Sequence, residues 1–233
     1  MFTGIVVTVG EVTAIIPADT ALRFQIAAPA LIHALNLGDS VCCEGACLTV
    51  EAIQGNEFTV CAVRETLDKT QLRHWAVGSA VNLEPALQAG TPLGGHFVLG
   101  HVDGVGIYES FLPLAGGGGE WKIRLPKEML RYCVVKGSLT VCGVSLTLAA
   151  IAGDVITIAL IPHTLGHTTL GLKSVGDSLN IEVDVLGKHI ERLLAAWNRL
   201  PGQDDSEGSA KAGTSSLTLA NLSAWGYAPA VEA

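Results

Sequence analysis

Charge is scarce in this chain: only 15% of its 233 residues are Asp, Glu, Lys or Arg, and 14 cations face 22 anions for a formal net charge of −8. A surface so poor in cations has no basic field with which to release counterions, which excludes nucleic acid as a partner. Long apolar runs are missing as well. Mean hydropathy is +0.44, yet polar residues or glycines break every apolar stretch well short of the ~18 consecutive positions that a membrane span needs, so no membrane partner is expected. The first residues, Met1 to Val6, have no cation ahead of the apolar positions and no secretory cleavage pattern, and read as the mature start of a cytoplasmic protein. Six cysteines are too few for a disulfide scaffold in a chain this long, and the cluster Cys42, Cys43 and Cys47 lacks a second ligand pair at zinc-finger spacing. No metal is expected.

What the chain does contain is a repeat. Phe2-Thr3-Gly4-Ile5-Val6-Val7-Thr8-Val9-Gly10 aligns with Val98-Leu99-Gly100-His101-Val102-Asp103-Gly104-Val105-Gly106, and Gly45-Ala46-Cys47-Leu48-Thr49-Val50 with Gly143-Val144-Ser145-Leu146-Thr147-Leu148. Glu65-Thr66-Leu67 pairs with His163-Thr164-Leu165, Thr70 with Thr168, Gly78 with Gly176, and Val81-Asn82-Leu83-Glu84 with Leu179-Asn180-Ile181-Glu182. Two copies of a unit of about 90 residues therefore follow one another, joined near Gly94-Gly95.

Within each copy the local signal is β. Phe58 to Val63 and Val155 to Leu160 are β-branched runs bounded by glycine or proline. Several such runs in so short a unit imply a closed antiparallel barrel, since closure removes exposed edges. Short helices are expected over Pro29 to Leu35 and Lys127 to Val134. From Val185 to Trp197, Ile190, Leu193, Leu194 and Trp197 recur at helical spacing. A helix outside two barrels must cover its apolar stripe, and copies of itself in an oligomer would do so. The fold class is thus all-β, two tandem homologous small antiparallel β-barrels of Greek-key type followed by a C-terminal α-helix. The expected boundaries are 1–96 and 97–185 for the barrels, 186–200 for an oligomerising helix and 201–233 for a flexible tail. In that tail 16 of 33 residues are Gly, Ala or Ser, and Leu217, Leu219, Leu222 and Trp225 offer a short docking segment as the alternative to disorder.

Positions alike in both copies serve the barrel or a shared ligand frame, so distinct chemistry belongs where polar residues differ. Ile5 becomes His101, Cys47 becomes Ser145, Glu65 becomes His163 and Ala86 becomes Asp184. Two related pockets, one equipped with a His, a Ser and an Asp, point to two molecules of a similar ligand handled in different roles. Singly, each residue has a plainer reading as core or surface. Ser145 lacks the second glycine of a G-x-S-x-G elbow, and Gly100 to Gly106 precedes no helix-forming run, which excludes a Rossmann or P-loop reading.

Met1-Phe2-Thr3-Gly4-Ile5-Val6, Cys47-Leu48-Thr49-Val50, Gly94-Gly95-His96-Phe97-Val98-Leu99-Gly100-His101-Val102-Asp103-Gly104, Ser145-Leu146-Thr147 and Ile161-Pro162-His163-Thr164-Leu165 together resemble the signature segments of the riboflavin synthase family, alpha-chain type, in order from residue 1 to about 194. The family motif carries Asn and Asp before the glycines of its two G-x-[CS]-L-T segments, where this chain has Glu44 and Cys142. The resemblance implies dismutation of two 6,7-dimethyl-8-ribityllumazine molecules to riboflavin and 5-amino-6-(ribitylamino)uracil by transfer of a four-carbon unit, the final step of riboflavin biosynthesis. It implies no cofactor, a homotrimer in which the N-terminal barrel of one subunit faces the C-terminal barrel of another, and an association with lumazine synthase. By the same resemblance His101 and Ser145 take proton transfer and carbanion stabilisation at one pocket, Cys47 acts as nucleophile or relay in the partner pocket, Ser40 is a hydrogen-bonding group, and Asp184 is an orienter or base. Ring contacts fall to Gly4, Ile5 and Val6 with Gly100, His101 and Val102. Further contacts fall to Cys47, Leu48 and Thr49 with Ser145, Leu146 and Thr147. Cys61, Ala62, Val63, Arg64, Glu65 and Thr66 match Ala159, Leu160, Ile161, Pro162, His163 and Thr164, and Lys136 adds a charge. The rival reading is a non-catalytic lumazine- or flavin-binding antenna protein, which needs only one competent pocket. The asymmetric set His101, Ser145, Asp184 and Cys47 favours the enzyme.

Overall fold

The computed structural model describes residues 1–197. The expected tail over 201–233, its docking segment, and the last residues of the expected helix lie outside the described residues. The first copy forms β1 (Thr8–Ala18), β2 (Ala21–Ala27), β3 (Ser40–Cys43), β4 (Ala46–Gln54), β5 (Glu57–Ala62), helix α1 (Arg64–Lys69) and β6 (Ala80–Pro85). The second forms β7 (Gly104–Pro113), β8 (Gly119–Arg124), α2 (Lys127–Leu130), β9 (Ser138–Val141), β10 (Val144–Ala152), β11 (Val155–Leu160), α3 (Pro162–His167) and β12 (Ser178–Val183), followed by α4 (Val185–Trp197). Each set of six strands closes into an antiparallel barrel, β1-β2-β5-β4-β3-β6 and β7-β8-β11-β10-β9-β12. Among the described residues no helix is long and apolar enough to cross a membrane.

Alternation drives the closure. In β5, Phe58, Val60 and Ala62 point inward, and in β11 Ile156, Ile158 and Leu160 do the same, so every second side chain fills a barrel core. The duplication reaches into the irregularities. Strands β1 and β7 bulge at Val12/Ala14 and Tyr108/Ser110, and β4 and β10 at Val50/Ala52 and Leu148/Ala150, which are equivalent positions in the two copies. The expected helix over Pro29 to Leu35 contracts to a 3-10 turn at Ile32–Ala34, and that over Lys127 to Val134 to α2. In both, Ala28, Leu31 and Met129 anchor a single turn to the barrel, and no longer apolar stripe exists to extend it.

The two barrels grip each other through their β3–β4 and β9–β10 turns. Gly45 and Gly143 meet there: a Cβ on either would stand 2.9 Å from the other's backbone nitrogen, and both have φ above +80°, so glycine is required on both counts. Around this contact two asparagines are exchanged. Asn82 of β6 donates to the Cys142 carbonyl at 2.9 Å and accepts from the Thr169 amide at 2.7 Å, while Asn180 of β12 donates to the Glu44 carbonyl at 2.7 Å and accepts from the Gln71 amide at 2.7 Å. Each asparagine thus satisfies two backbone groups of the opposite barrel, and both are buried.

Glu44, the residue that departs from the family pattern, is fully buried beside this clasp. Its carboxylate accepts from the Asn82 amide at 3.0 Å, the Thr169 hydroxyl at 2.6 Å and the Gln71 side chain at 2.9 Å, with Lys173 Nζ at 3.7 Å. Burial alone would lower the Lys173 pKa, but Glu44, Cys142 and Asp177 outweigh it and hold the ammonium above its ordinary value. The opposing departure, Cys142, takes a weak bond from Gln71 at 3.6 Å. The acid therefore sits on the first barrel and is paired across to the second, and among the described residues no buried side-chain polar atom lacks a partner.

Asn180→Leu removes both bonds at once and orphans a buried amide and a buried carbonyl. At about 1–3 kcal/mol per group, urea unfolding of this variant is expected to show a loss of about 2–6 kcal/mol, and an unchanged midpoint would contradict the clasp.

Candidate active site

The segment preceding each barrel does not stay with that barrel alone. Phe2 pairs with Val98 in an antiparallel bridge, and both are wholly buried in a small cluster with Cys42 between the barrels. From this bridge the segments diverge. The Gly4 carbonyl accepts from the Ser145 amide of the second barrel at 2.8 Å, and the Gly100 carbonyl accepts from the Cys47 amide of the first at 2.8 Å. Added Cβ atoms on Gly4 and Gly100 would meet the Cβ of Ser145 and of Cys47 at 2.6 Å, and both glycines have φ near +76°, so each crossing depends on an absent side chain.

Buried carboxylates hold the crossings. Glu84 accepts from the Thr3 amide at 2.7 Å, the Thr3 hydroxyl at 2.7 Å and the Gly4 amide at 3.0 Å. Glu182 accepts from the Leu99 amide at 2.7 Å and the Gly100 amide at 2.9 Å. Burial raises both carboxyls above the ordinary range, against the opposing pull of these amides.

The crossing determines which residues meet. Copy comparison groups His101 with Ser145 because both belong to the second copy, whereas the fold brings His101 to Cys47 and leaves Ser145 with Gly4. His101 lines a cavity of about 210 Å³ on the first barrel with Ala46, Cys47, Glu65, Thr66, Lys69, Thr70, Gly100 and Val102. The physical reason for the regrouping is the exchanged segment, which carries His101 onto the neighbouring barrel. On the second barrel, helix α3 presents His163 and His167 where the first has Glu65 and Lys69, and their rings stack at 4.1 Å. The side chains of Leu48, Leu146, Ala62 and Leu160 enter the cores, so these positions can offer only backbone to a ligand. Thr49 and Thr147 are exposed, as are Ile5, Val63, Arg64, Ala159, Ile161 and Pro162, while Val6, Cys61 and Thr164 are half-buried.

Three sequence-chosen residues have further structural roles. Ser40 opens β3 opposite Thr49. Lys136 is exposed with φ +69° at the turn where the first copy has Gly38, a conformation unusual for a residue with a side chain. Asp184 caps helix α4 by accepting from the Leu186 amide at 2.9 Å.

One residue was not reached by copy comparison. His96 is buried with Nδ1 2.7 Å from the Ser145 hydroxyl and Nε2 3.2 Å from the Thr140 hydroxyl. At the offset of 96 that aligns the two leading segments, its counterpart would precede Met1, so no difference between copies could flag it. The Gly94-Gly95-His96 stretch of the family signature was the available signal. Burial lowers the His96 pKa, with Asp184 pulling weakly the other way. A neutral ring between two hydroxyls is satisfied in either tautomer and can take a proton from Ser145. A cavity of about 690 Å³ contains none of these residues: it lies along the inter-barrel seam between Gln71, Trp75, Thr169 and Lys173.

Comparison with known proteins agrees with this duplication. The lumazine binding domain model matches twice, at residues 3–86 and 99–184. Riboflavin synthase of Actinobacillus pleuropneumoniae is 37% identical over 83% of this chain and 90% of its own length, that of Bacillus subtilis 38% over 85% and 92%, and that of Mycobacterium tuberculosis 41% over 83% and 98%. Among solved structures, LumP complexed with 6,7-dimethyl-8-(1'-D-ribityl) lumazine superposes with a TM-score of 0.71 at 26% identity, covering 78% of this chain and 99% of that one. LumP complexed with riboflavin gives 0.72 at 27%, with the same coverage.

Because the His96 pKa is lowered in the folded state, the unfolded chain binds that proton more readily, and stability falls as pH drops below the ordinary imidazole value of about 6.5. The unfolding free energy of the native protein minus that of His96→Gln is therefore expected to shrink between pH 7.5 and pH 5. A difference independent of pH would contradict a buried neutral His96.

Proposed function

Since the chain belongs to the riboflavin synthase family, we propose that it converts two molecules of 6,7-dimethyl-8-ribityllumazine to riboflavin and 5-amino-6-(ribitylamino)uracil by transfer of a four-carbon unit. The chain is an enzyme, a transferase. The observation that carries the finer reading is the pair of equivalent crossings with different equipment: His101 beside Cys47 on one barrel, Ser145 bonded to His96 on the other. Two near-identical heterocycles in different roles need such a pair, whereas an antenna protein needs only one binding pocket.

The C7 methyl of the lumazine is acidic because its anion spreads into the ring. Catalysis then asks for a proton acceptor, donors to the ring oxygens, and a nucleophile or water at C7. His101 serves as the proton acceptor on the first barrel and Cys47 as the nucleophile or relay. On the second, His96 activates the Ser145 hydroxyl, and Asp184 adds its charge near His96. Orientation of the two rings supplies much of the rate, since well-placed reactants reach effective molarities of ~10⁵ M and above. No cofactor takes part.

A cavity of about 210 Å³ falls short of the roughly 300–1,000 Å³ typical of small-molecule sites, so a further wall is required. A homotrimer in the cytoplasm supplies it in this reading, the N-terminal barrel of one subunit facing the C-terminal barrel of the next. Leu186, Ile190, Leu193 and Leu194 of α4 are each more than half exposed and are the residues that such an assembly would cover.

Mixing the purified chain with the lumazine and following riboflavin absorbance tests the activity: turnover is expected, and binding without turnover would favour the antenna reading. Deletion from Gly187 onward is expected to give monomers with much reduced turnover, and a fully active trimer after that deletion would overturn the role of α4. Ser145→Ala, Cys47→Ala and His101→Gln should each lower kcat by ~10²–10⁴-fold and KM far less, whereas Thr49→Ala and Thr147→Ala act mainly on KM. The reverse pattern in steady-state kinetics would detach the catalytic roles from the asymmetric residues.

A further inference from the structure

The structure assigns to Glu182 the positioning of His101. The geometry stands by itself, and its catalytic consequence rests on the synthase reading. Glu182 is buried at 3% exposure, and both carboxylate oxygens accept consecutive backbone amides, Leu99 and Gly100, immediately before His101. Dehydrating a carboxylate is costly unless its oxygens are fully used, and here they are used on the one stretch of backbone that carries the imidazole.

That backbone is held from both barrels. The Gly100 amide is bound by Glu182 of β12, and the Gly100 carbonyl accepts from Cys47 of β4, so the approach to His101 is fixed at donor and acceptor together. Beyond His101 the chain is fixed again at Asp103, whose amide donates to the Ile181 carbonyl at 2.8 Å and whose carboxylate accepts from the Val183 amide at 2.9 Å and Lys188 Nζ at 2.6 Å. Only His101 and Val102 lie between the two anchors. Among the described residues no side chain hydrogen-bonds the His101 ring itself. Its place in the cavity with Cys47 follows from the backbone that Glu182 holds.

The repeat supplies an internal control. Glu84 does the same work in the first copy, bonding the Thr3 and Gly4 amides, but the residue it presents is Ile5, which has no proton to move. The two glutamates share a structural task and differ in what they carry. Removing either should destabilise the crossing it holds, and only Glu182 should act through His101.

The test uses the full chain with Glu182→Gln, Glu84→Gln, His101→Gln and the two doubles that contain His101→Gln. An amide at position 182 presents one N–H toward a backbone N–H and releases the segment. Misplacement by about 1 Å can cost ~10²-fold, so Glu182→Gln is expected to lower kcat on the lumazine by ~10–100-fold with KM changed less than about threefold. In the His101→Gln background the same change should cost less than about twofold, whereas Glu84→Gln should multiply with His101→Gln in full. Full multiplication of Glu182→Gln with His101→Gln would overturn the assignment. A second readout needs no turnover: the His101 Cε1–H NMR signal, identified by its loss in His101→Gln, should move toward that of a free imidazole in Glu182→Gln and stay in place in Glu84→Gln. An unmoved signal in Glu182→Gln also overturns it. A chain that fails to convert lumazine at all refutes the synthase reading and leaves the NMR comparison to decide the role of Glu182. Should Glu182→Gln not fold, Glu182→Asp keeps the charge, withdraws it by one methylene, and is read in the same ways.

Discussion

Two buried asparagines set the frame on which everything else in this molecule depends. Asn82 and Asn180 each close two backbone hydrogen bonds of the opposite barrel at 2.7–2.9 Å. If the barrels stayed docked and either asparagine were lost, one amide and one carbonyl would be left buried and unpaired, a state costlier than never forming the bonds. The arrangement also brings Gly45 against Gly143, which no side chain would permit. With the barrels docked in this way, the two leading segments run side by side at Phe2 and Val98, and each reaches the other barrel. The exchange of the leading segments, in which Val6 packs on the second core and Val102 on the first, accompanies this docking.

That geometry turns a symmetric duplication into a chemically asymmetric pair. The scaffold is matched bulge for bulge, and Glu84 and Glu182 hold the leading segments in the same way. The asymmetry at the crossings lies in Cys47 and His101 on the first barrel and Ser145 and His96 on the second. On the first barrel a half-buried thiol meets an exposed imidazole, and on the second a hydroxyl is bonded to a buried imidazole kept neutral by its surroundings. A solvent-facing imidazole suits proton exchange, and a buried histidine suits activation of a fixed hydroxyl.

Much of the fold was legible in the sequence. The repeat, the β-branched runs and the apolar stripe of Val185 to Trp197 give two barrels and a helix, because alternation and helical periodicity record which face of each element is buried. The short helices α1 and α3 were not distinguished from ligand-contact loops, since six residues carry too little periodicity. The crossing of the leading segments was not legible either. Nothing local in Phe2 to Val6 says which barrel it will touch, since the bonds that decide it come from Ser145 and Cys47, far along the chain. For the same reason copy comparison groups His101 with Ser145 and passes over His96, which has no counterpart in the first copy. Asp184 illustrates a different limit: it differs from Ala86 where it caps a helix that has no equivalent after the first copy. At Glu44, the bonds that satisfy the buried carboxylate come from Gln71, Thr169 and Lys173, far along the chain.

The central claim is that each site is assembled from both copies, and amide hydrogen exchange tests it directly. The Cys47 and Ser145 amides each donate to a carbonyl of the other copy's leading segment, Gly100 and Gly4, at 2.8 Å. If the crossing is part of the native fold, both amides exchange only with global unfolding, at the rates of core amides in β5 and β11. Exchange of Cys47 and Ser145 at the rates of exposed loops, while the barrel cores remain protected, would show that the leading segments do not cross and would contradict the account.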